Sequence, residues 1–144
     1  MLDVGAGLGA LTRPLVDRGA RVIAIERHPA RADALRRSFG GRITVVRADA
    51  RDLRLPRRPF HVVANPPYGI TADLLARLLH PGSRLVSAHL VLQRDAARRW
   101  AAPDAPAARR WQQRWAAGLG PVVPRKAFTP PPRVDSQVLV IRHR

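Results

Sequence analysis

The sequence predicts an α/β fold built on a mostly parallel, doubly wound sheet with an antiparallel edge at its C-terminal side. Short apolar runs alternate with stretches of helical length and periodicity as far as residue 92, which is typical of parallel strands joined by crossover helices. The last two apolar runs have a proline-stiffened loop between them, so they can pair antiparallel. With 144 residues, 46% of them hydrophobic, the chain supports one domain with one core.

The first half of the chain alternates strands and helices between glycine and proline signals. Gly19 suits the end of the first helix, and Pro29 suits the start of the second because its fixed φ matches the first helical turn. The predicted elements are, in order, the strand Met1–Val4, the turn Gly5-Ala6-Gly7-Leu8-Gly9, the helix Ala10–Arg18, the strand Arg21–Ile25, a helix opening at Pro29 and ending at Gly40-Gly41, and the strand Ile43–Val46.

The second half continues the alternation and then changes character. Thr71 can cap a helix whose leucines recur at helical spacing, and Pro81-Gly82 stops it. Pro103 and Pro106 interrupt the next helix. The predicted elements are the strand Phe60–Ala64, the helix from Thr71, the strand Leu85–Leu92, the helix Gln93–Ala101, and two late strands near Gln113–Leu119 and Gln137–Arg142.

The charge balance predicts a polyanionic partner. There are 26 Lys and Arg residues against 10 Asp and Glu, a net charge of +16, spread in pairs such as Arg36-Arg37 and Arg109-Arg110. Such a field concentrates RNA or DNA, with an acidic membrane surface as the second choice. A solvated face also explains any single arginine pair.

Several classes of protein are disfavoured. The chain has 0 Cys, so disulfides and thiol nucleophiles are excluded and a reduced, cytoplasmic protein is expected. No apolar run is long enough for a bilayer, and no export signal opens the chain. The histidines lack metal-ligand spacing, so no metal is expected. The tryptophans near the arginine pairs are expected to pack in the core rather than to stack on RNA; they are Trp100, Trp111 and Trp115.

Polar residues follow the first four predicted strands at the ends where ligands bind. The glycine-rich turn follows the first strand, and Glu26, Asp49 and Asn65 follow the second, third and fourth. In a doubly wound sheet, ligands bind in the crevice beyond the carboxyl ends of the strands. The sequence therefore predicts one crevice that these residues share.

The cofactor half of that crevice is a nucleotide-type site. Gly5 and Gly7 let the backbone approach a ligand without a Cβ in the way, and Glu26, 21 residues after Gly5, suits the hydroxyls of a ribose. The same pattern fits a nicotinamide cofactor. Asp3 before the glycines and Asp49 after the third strand favour S-adenosylmethionine, with Asp49 accepting from the adenine amino group. A turn cap explains Asp49 equally well.

The chemical half is the run Asn65-Pro66-Pro67-Tyr68 at the end of an apolar strand. An ordinary turn would also account for it. The functional interpretation is that the Asn65 side-chain oxygen and the Pro66 carbonyl accept the protons of an exocyclic amine. The nitrogen lone pair then points at an electrophilic methyl group, and Tyr68 stacks on the planar substrate.

These motifs together resemble the rRNA adenine N6-dimethyltransferases, which include the dimethyladenosine transferases of small-subunit RNA and the Erm methyltransferases of large-subunit RNA. The resemblance rests on Asp3-x-Gly5-x-Gly7, Glu26, Asp49, Asn65-Pro66-Pro67-Tyr68 and the late motif Phe128-x-Pro130-x-Pro132-x-Val134-Asp135-Ser136. The late motif makes it specific, because the Asn-Pro-Pro-Tyr element also occurs in glutamine and DNA amino-methyltransferases.

The resemblance implies a Rossmann-like class I methyltransferase fold with S-adenosylmethionine as the cofactor. It implies that Gly5 and Gly7 border the methionine part, Glu26 the ribose, Asp49 the adenine, and Asn65 the junction of the cofactor with the target amine, and that Asp3 also belongs to the cofactor site. It further implies that Phe128 and Tyr68 clamp an unpaired or flipped adenine. A core position beneath the prolines is the alternative for Phe128.

The resemblance also implies the substrate and the extent of the domain. The context Pro67-Tyr68-Gly69-Ile70-Thr71 is more similar to actinobacterial Erm sequences, so N6-methylation of 23S rRNA is expected, with macrolide-type resistance as a consequence. The alternatives are 16S rRNA dimethylation, protein glutamine methylation and an inactive RNA-binding remnant. We expect one monomeric catalytic domain over residues 1–144, without the family's N-terminal cofactor-wrapping Gln-Asn-Phe segment or its helical C-terminal RNA-binding domain.

Overall fold

The computed structural model describes residues 1–104 and 111–144 and contains one seven-stranded sheet flanked by helices. The strand order is β3-β2-β1-β4-β5-β7-β6. The strands are β1 (Leu2–Val4), β2 (Val22–Ile25), β3 (Ile43–Val46), β4 (Phe60–Ala64), β5 (Leu85–Gln93), β6 (Trp115–Val123) and β7 (Ser136–His143). The helices are α1 (Thr12–Asp17), α2 (Pro29–Phe39), α3 (Thr71–Leu78) and α4 (Arg94–Ala101).

The first five strands are parallel, and the last two form the antiparallel edge that the sequence predicts. β1 pairs with both β2 and β4: the chain adds β2 and β3 on one side of β1 and then continues with β4 and β5 on the other side. β7 runs antiparallel between β5 and β6, with Ser136 opposite Gln93 and Arg142 opposite Ser87. The carboxyl ends of β1, β2 and β4 therefore meet at one edge of the sheet, where a ligand crevice is expected.

Helices α2 and α3 each turn one apolar stripe toward the sheet, whereas α1 and α4 bury only Thr12 and Ala97. On α2 this stripe is Ala32, Leu35 and Phe39, and on α3 it is centred on Leu74 and Leu78, all of which are buried. The sheet itself supplies fully buried residues such as Val4, Val62, Leu90 and Ile141. These contacts fix the strand ends that carry the polar residues of the crevice.

Some boundaries differ from the predicted ones for identifiable reasons. α1 begins at Thr12 rather than Ala10, because the glycine turn continues through Gly9, whose N–H donates to the Ala6 carbonyl at 2.9 Å. β6 continues past Leu119 to Val123 through a register shift. Pro121 lies in that irregularity; it has no N–H to donate to a ladder, and β6 is an edge strand, where proline is tolerated.

Two further expectations concern the C-terminal third. Trp111 and Trp115 are buried in the core, which confirms packing over RNA stacking for these two, and Trp100 is partly buried against the same cluster. The predicted break at Pro106 and the pair Arg109-Arg110 lie outside the described residues. Within the described ranges, no helix has the length and apolarity needed to cross a membrane.

Candidate active site

The glycine turn after β1 is hydrogen-bonded to the end of β2. The N–H groups of Gly5 and Ala6 both donate to the Ile25 carbonyl, at 2.9 and 3.0 Å. Gly5 has a φ of +75°, which favours glycine, and a Cβ built on it would stand 3.8 Å from the backbone oxygen of Asn65. The turn therefore brings the backbone after β1 close to the residues that follow β4.

Glu26 is the buried acid that holds this turn. One carboxylate oxygen, Oε2, accepts from the Gly7 N–H at 2.8 Å, and the other, Oε1, accepts from the His28 N–H at 2.8 Å. The residue is only 6% exposed. A carboxylate has about four acceptor positions, so two remain for hydroxyl donors such as those of a ribose. The sequence marked Glu26 as a ligand contact but gave no sign of its two backbone partners.

Asp3 lies in β1 directly before the glycine turn. Its Oδ2 accepts from the Thr12 hydroxyl at 2.5 Å, a pairing that the sequence analysis did not predict. Burial raises the pKa of Asp3 above its ordinary value of 3.8; the Thr12 hydrogen bond opposes this effect, and the charge of Glu26 adds to it. Its Oδ1 is buried without a hydrogen-bond partner within the described residues, so it can accept from a ligand donor.

Asp49 is both a turn cap and a wall of the crevice. Its carboxylate caps the 3₁₀ turn Ala50–Asp52 by accepting from the Arg51 N–H, and it pairs with the Arg51 guanidinium at 2.8 and 3.1 Å. Arg27 adds a longer contact of 3.4 Å. These hydrogen bonds, led by that from the Arg51 side chain, hold the pKa of Asp49 well below its ordinary range. Since all of its acceptor positions are in use, an adenine amino group would have to replace Arg27, the longest contact.

A cleft of about 380 Å³ at the carboxyl edge joins four of the predicted site residues, namely Gly5, Glu26, Asp49 and Asn65. Its remaining lining comes from Ile25, Arg27, His28, Arg31, Ala48, Ala50, Arg51, Pro67 and Ile70. The cleft thus brings together the glycine turn after β1, the acids that follow β2 and β3, and the asparagine that follows β4. The arginines among these residues were not predicted as part of the site; their abundance throughout the sequence hides them.

The turn after β4 buries one proline and exposes the two polar side chains of the predicted site. Pro66 is buried, whereas Asn65 is exposed on the cleft and Tyr68 is 62% exposed. Tyr68 opens a 3₁₀ turn in which the Ile70 N–H donates to the Pro67 carbonyl at 3.2 Å. An exposed ring on a fixed turn is available for stacking. Contact between Tyr68 and a base stays a prediction.

Phe128 lies on a loop that Asp135 fastens to the sheet. The Asp135 carboxylate accepts from the Arg125 N–H at 2.8 Å, and its backbone carbonyl accepts from the Arg94 N–H at 3.3 Å. Phe128 itself is half-buried just after the 3₁₀ turn Arg125–Ala127. Neither Phe128 nor Tyr68 lines the cleft of Asn65, so the clamp of two rings around a base stays a prediction. The contacts of Asp135 hold the loop that carries Phe128.

Comparison with known proteins fits this geometry. The family model described as ribosomal RNA adenine dimethylase matches residues 1–144. The chain belongs to this family. The family model thereby confirms the resemblance given by the Asn65 corner and the Phe128 motif.

Relatives and solved structures of the family extend beyond this chain. It is 39% identical over 160 residues to a ribosomal RNA small subunit methyltransferase A of Anaeromyxobacter dehalogenans (strain 2CP-C), covering 96% of the chain and 56% of the relative. It is 34% identical to an rRNA adenine N-6-methyltransferase of Corynebacterium diphtheriae, covering 99% and 57%. The crystal structure of the 23S rRNA methyltransferase ErmE matches with a TM-score of 0.87 and 32% identity, covering 99% and 60%. The chain thus spans just over half the length of these relatives.

The residues of this dimethylase-family cleft fit S-adenosylmethionine, the family's cofactor, which supplies a methyl group on a positively charged sulfur. Glu26 lines the cleft and keeps acceptor positions for ribose hydroxyls. Asp3 does not line the cleft, but it directly precedes the glycine turn, and its buried Oδ1 is an acceptor without a partner in the described residues. A Cβ on Gly7 would project into open space, whereas one on Gly5 would stand 3.8 Å from the backbone oxygen of Asn65, so the absence of side chains keeps this turn open to a ligand. The residues of the cleft therefore fit a nucleoside-type cofactor, and Asn65 places an amide oxygen, an acceptor, beside it.

Proposed function

We propose that this chain transfers methyl groups from S-adenosylmethionine to the N6 nitrogen of an adenine in ribosomal RNA, with 23S rRNA as the target. The observation that carries the proposal is that Glu26 and Asn65 line the same cleft, on either side of the glycine turn. One acid suited to a ribose and one amide suited to an amine are then within reach of a single bound donor. Proximity of this kind is the main contribution that a protein makes to such a transfer.

In this proposal the chain's residues divide the work between binding and orientation. Asp3 and Glu26 bind the polar parts of the cofactor, and Asp49 accepts from its adenine. Asn65 and the Pro66 carbonyl accept hydrogen bonds from the two N–H groups of the target amine, which orients its lone pair. No strong base is needed before transfer, because the donor sulfur would leave as a neutral thioether when the N–C bond forms, and the extra proton on nitrogen would pass to solvent afterwards.

The clamp completes the proposal. Tyr68 and Phe128 stack on the two faces of the extruded adenine, at about 1–3 kcal/mol for each base contact. Exposure of the Tyr68 ring and the fastening of the Phe128 loop through Asp135 support this arrangement.

A basic cleft beside the asparagine corner supports RNA as the substrate. This cleft has a volume of about 620 Å³, and its lining has four arginines against two acids: Arg94, Arg98, Arg125 and Arg133 with Asp95 and Asp135. It lies where β5 ends and β7 begins, and β5 is the neighbour of β4 in the sheet. The phosphates on either side of a target adenine could lie here, since arginine donates to phosphate oxygens in a fixed fork.

The assignment to 23S rRNA rests on likeness to ErmE, whose name states that substrate, and on the Erm-like context of Tyr68. Small-subunit rRNA is the second candidate, because the relative at 39% identity is named for the small subunit. Macrolide-type resistance belongs to the first assignment only. A monomer acting in the cytoplasm is part of both.

The test is label transfer from tritiated S-adenosylmethionine to three acceptors: protein-free 23S rRNA, protein-free 16S rRNA and total protein. We expect label in 23S rRNA, recovered as N6-methylated adenosine after nuclease digestion. Label confined to 16S rRNA would contradict 23S rRNA as the target but support methylation of an rRNA adenine. Label in protein alone would favour glutamine methylation, and RNA binding without cofactor binding would favour an inactive remnant.

A further inference from the structure

A second cationic cleft lies at the amino ends of the parallel strands, whereas the candidate active site lies at their carboxyl ends. It has a volume of about 600 Å³, and its polar lining is Arg54, Arg57, Arg77, His80 and Arg84. These residues precede β4, precede β5 or end α3, so all of them lie at the amino ends of the parallel strands. The asparagine corner follows β4 at the carboxyl end.

Two hydrogen bonds orient donors in this cleft. Arg77 donates its Nε to the Leu53 carbonyl at 2.9 Å, which fixes the guanidinium and leaves its terminal nitrogens available. The Gly82 N–H donates to His80 Nδ1 at 2.9 Å, so the neutral imidazole carries its own proton on Nε2, as a donor. Preorganised donors of this kind reduce the entropy lost on binding an anion.

The lining of the cleft is positively charged and, among the described residues, contains no acid. Its arginines form no ion pair within the described part of the chain. Asp73 lines the adjoining depression, where it faces Arg51 as well as Arg77. Buried Leu53 forms part of the wall, and apolar walls strengthen the field in a concave site.

We propose that this amino-edge cleft binds the phosphate backbone of RNA at a segment remote from the target adenine. β4 has five residues, so its amino and carboxyl ends are about 13 Å apart at about 3.3 Å per residue. One nucleotide held at the asparagine corner cannot also fill this cleft, and a longer structured RNA can contact both. The identification of this RNA as ribosomal rests on the proposed function, whereas the anion-binding site is argued from the residues of the cleft alone.

The test compares two double variants that each lower the net charge by two. Arg54→Ala/Arg57→Ala changes the cleft and leaves Arg77, with its bond to Leu53, in place. Arg18→Ala/Arg37→Ala removes two exposed arginines that do not line it. Binding of protein-free 23S rRNA is measured by filter retention from 50 to 200 mM KCl, and a thermal melt checks that both variants fold.

The cleft variant is expected to bind about tenfold more weakly at 100 mM KCl and to lower the log–log salt slope by about 1.4–1.8, since each phosphate contact contributes about 0.7–0.9. The surface variant is expected to change the slope by less than about 0.5. Equal losses in both variants, or no RNA binding by the unmodified chain, would overturn the proposal. So would a loss confined to binding of inorganic tripolyphosphate, which would identify a free polyphosphate as the occupant.

Failure of this site and failure of the proposed function give different results. Both variants should bind S-adenosylmethionine in calorimetry as the unmodified chain does, because neither pair lines the carboxyl-edge cleft. A selective loss of RNA binding without any methyl transfer would support the site and contradict the enzymatic assignment. Methyl transfer with equal losses would do the reverse.

Discussion

Replacing Glu26 by glutamine tests whether this carboxylate holds the glycine turn. Glutamine keeps one oxygen but presents an NH₂ to the other backbone N–H, so one of the two 2.8 Å bonds from Gly7 and His28 is lost. A hydrogen bond to a charged group contributes about 1.5–3 kcal/mol, and a part-buried N–H left unpaired adds a smaller cost. We expect Glu26→Gln to lower the free energy of unfolding by about 2–4 kcal/mol, the lower end allowing for easier burial of a neutral group.

The assay is urea unfolding without cofactor, followed by the fluorescence of the tryptophans, of which Trp115 is fully buried. At a typical m-value the midpoint should fall by about 1–2 M. Asp33→Asn is the matched control, because its ion pair with Arg36 is exposed and contributes about 0–1 kcal/mol. A loss for Glu26→Gln no larger than that of the control would refute the structural role.

Three further predictions follow from the structure. Burial raises the pKa of Asp3, so at pH values between about 3.8 and the folded pKa the folded chain holds a proton that the unfolded chain has released. The free energy of unfolding should therefore fall as pH rises through this range. Asp3→Asn should remove this contribution to the pH dependence in urea titrations. Gly9→Ala should cost about 2–4 kcal/mol in the same assay, since its φ is +92° and its Cβ would stand 2.6 Å from Phe39. Tyr68→Ala should lower methyl transfer to RNA about tenfold or more without changing the unfolding midpoint, and Tyr68→Phe should restore transfer.

Each of these three has a comparison that could contradict it. The pH argument fails if the Asp3 variant keeps the slope of the unmodified chain. Gly7→Ala is the control for Gly9→Ala, because Gly7 also has a positive φ but open surroundings, and a cost of about 1–2 kcal/mol is expected from the backbone alone. The stacking argument fails if Tyr68→Phe is as slow as Tyr68→Ala.

The sheet was predictable where the pattern is local. Apolar runs with helical stretches between them placed every strand within a few residues, and Pro29 and Gly40 marked α2 correctly. The course of β6 past Pro121 was not predictable, because it depends on an edge position and a register shift that only pairing with β7 creates. The place of β7 between β5 and β6 likewise depends on long-range pairing.

The candidate site divides in the same way. The convergence of Gly5, Glu26 and Asn65 followed from parallel strands ending at one edge, which is a topological consequence of the sequence pattern. The bonds of Glu26 to two backbone amides and the saturation of Asp49 by Arg51 and Arg27 could not be predicted. The bond from Gly7 to Glu26 joins residues that are distant in the chain, and the contact with Asp49 depends on the rotamer of one arginine among many.

Asn65→Ala, measured in single turnover with S-adenosylmethionine and protein-free rRNA, tests the central claim most directly. If Asn65 orients the target amine, cofactor affinity measured by calorimetry should stay within about threefold, whereas the rate of transfer should fall by about a hundredfold or more, as for loss of one preorganised polar contact in a transition state. Transfer at the unmodified rate with intact cofactor binding would contradict the account.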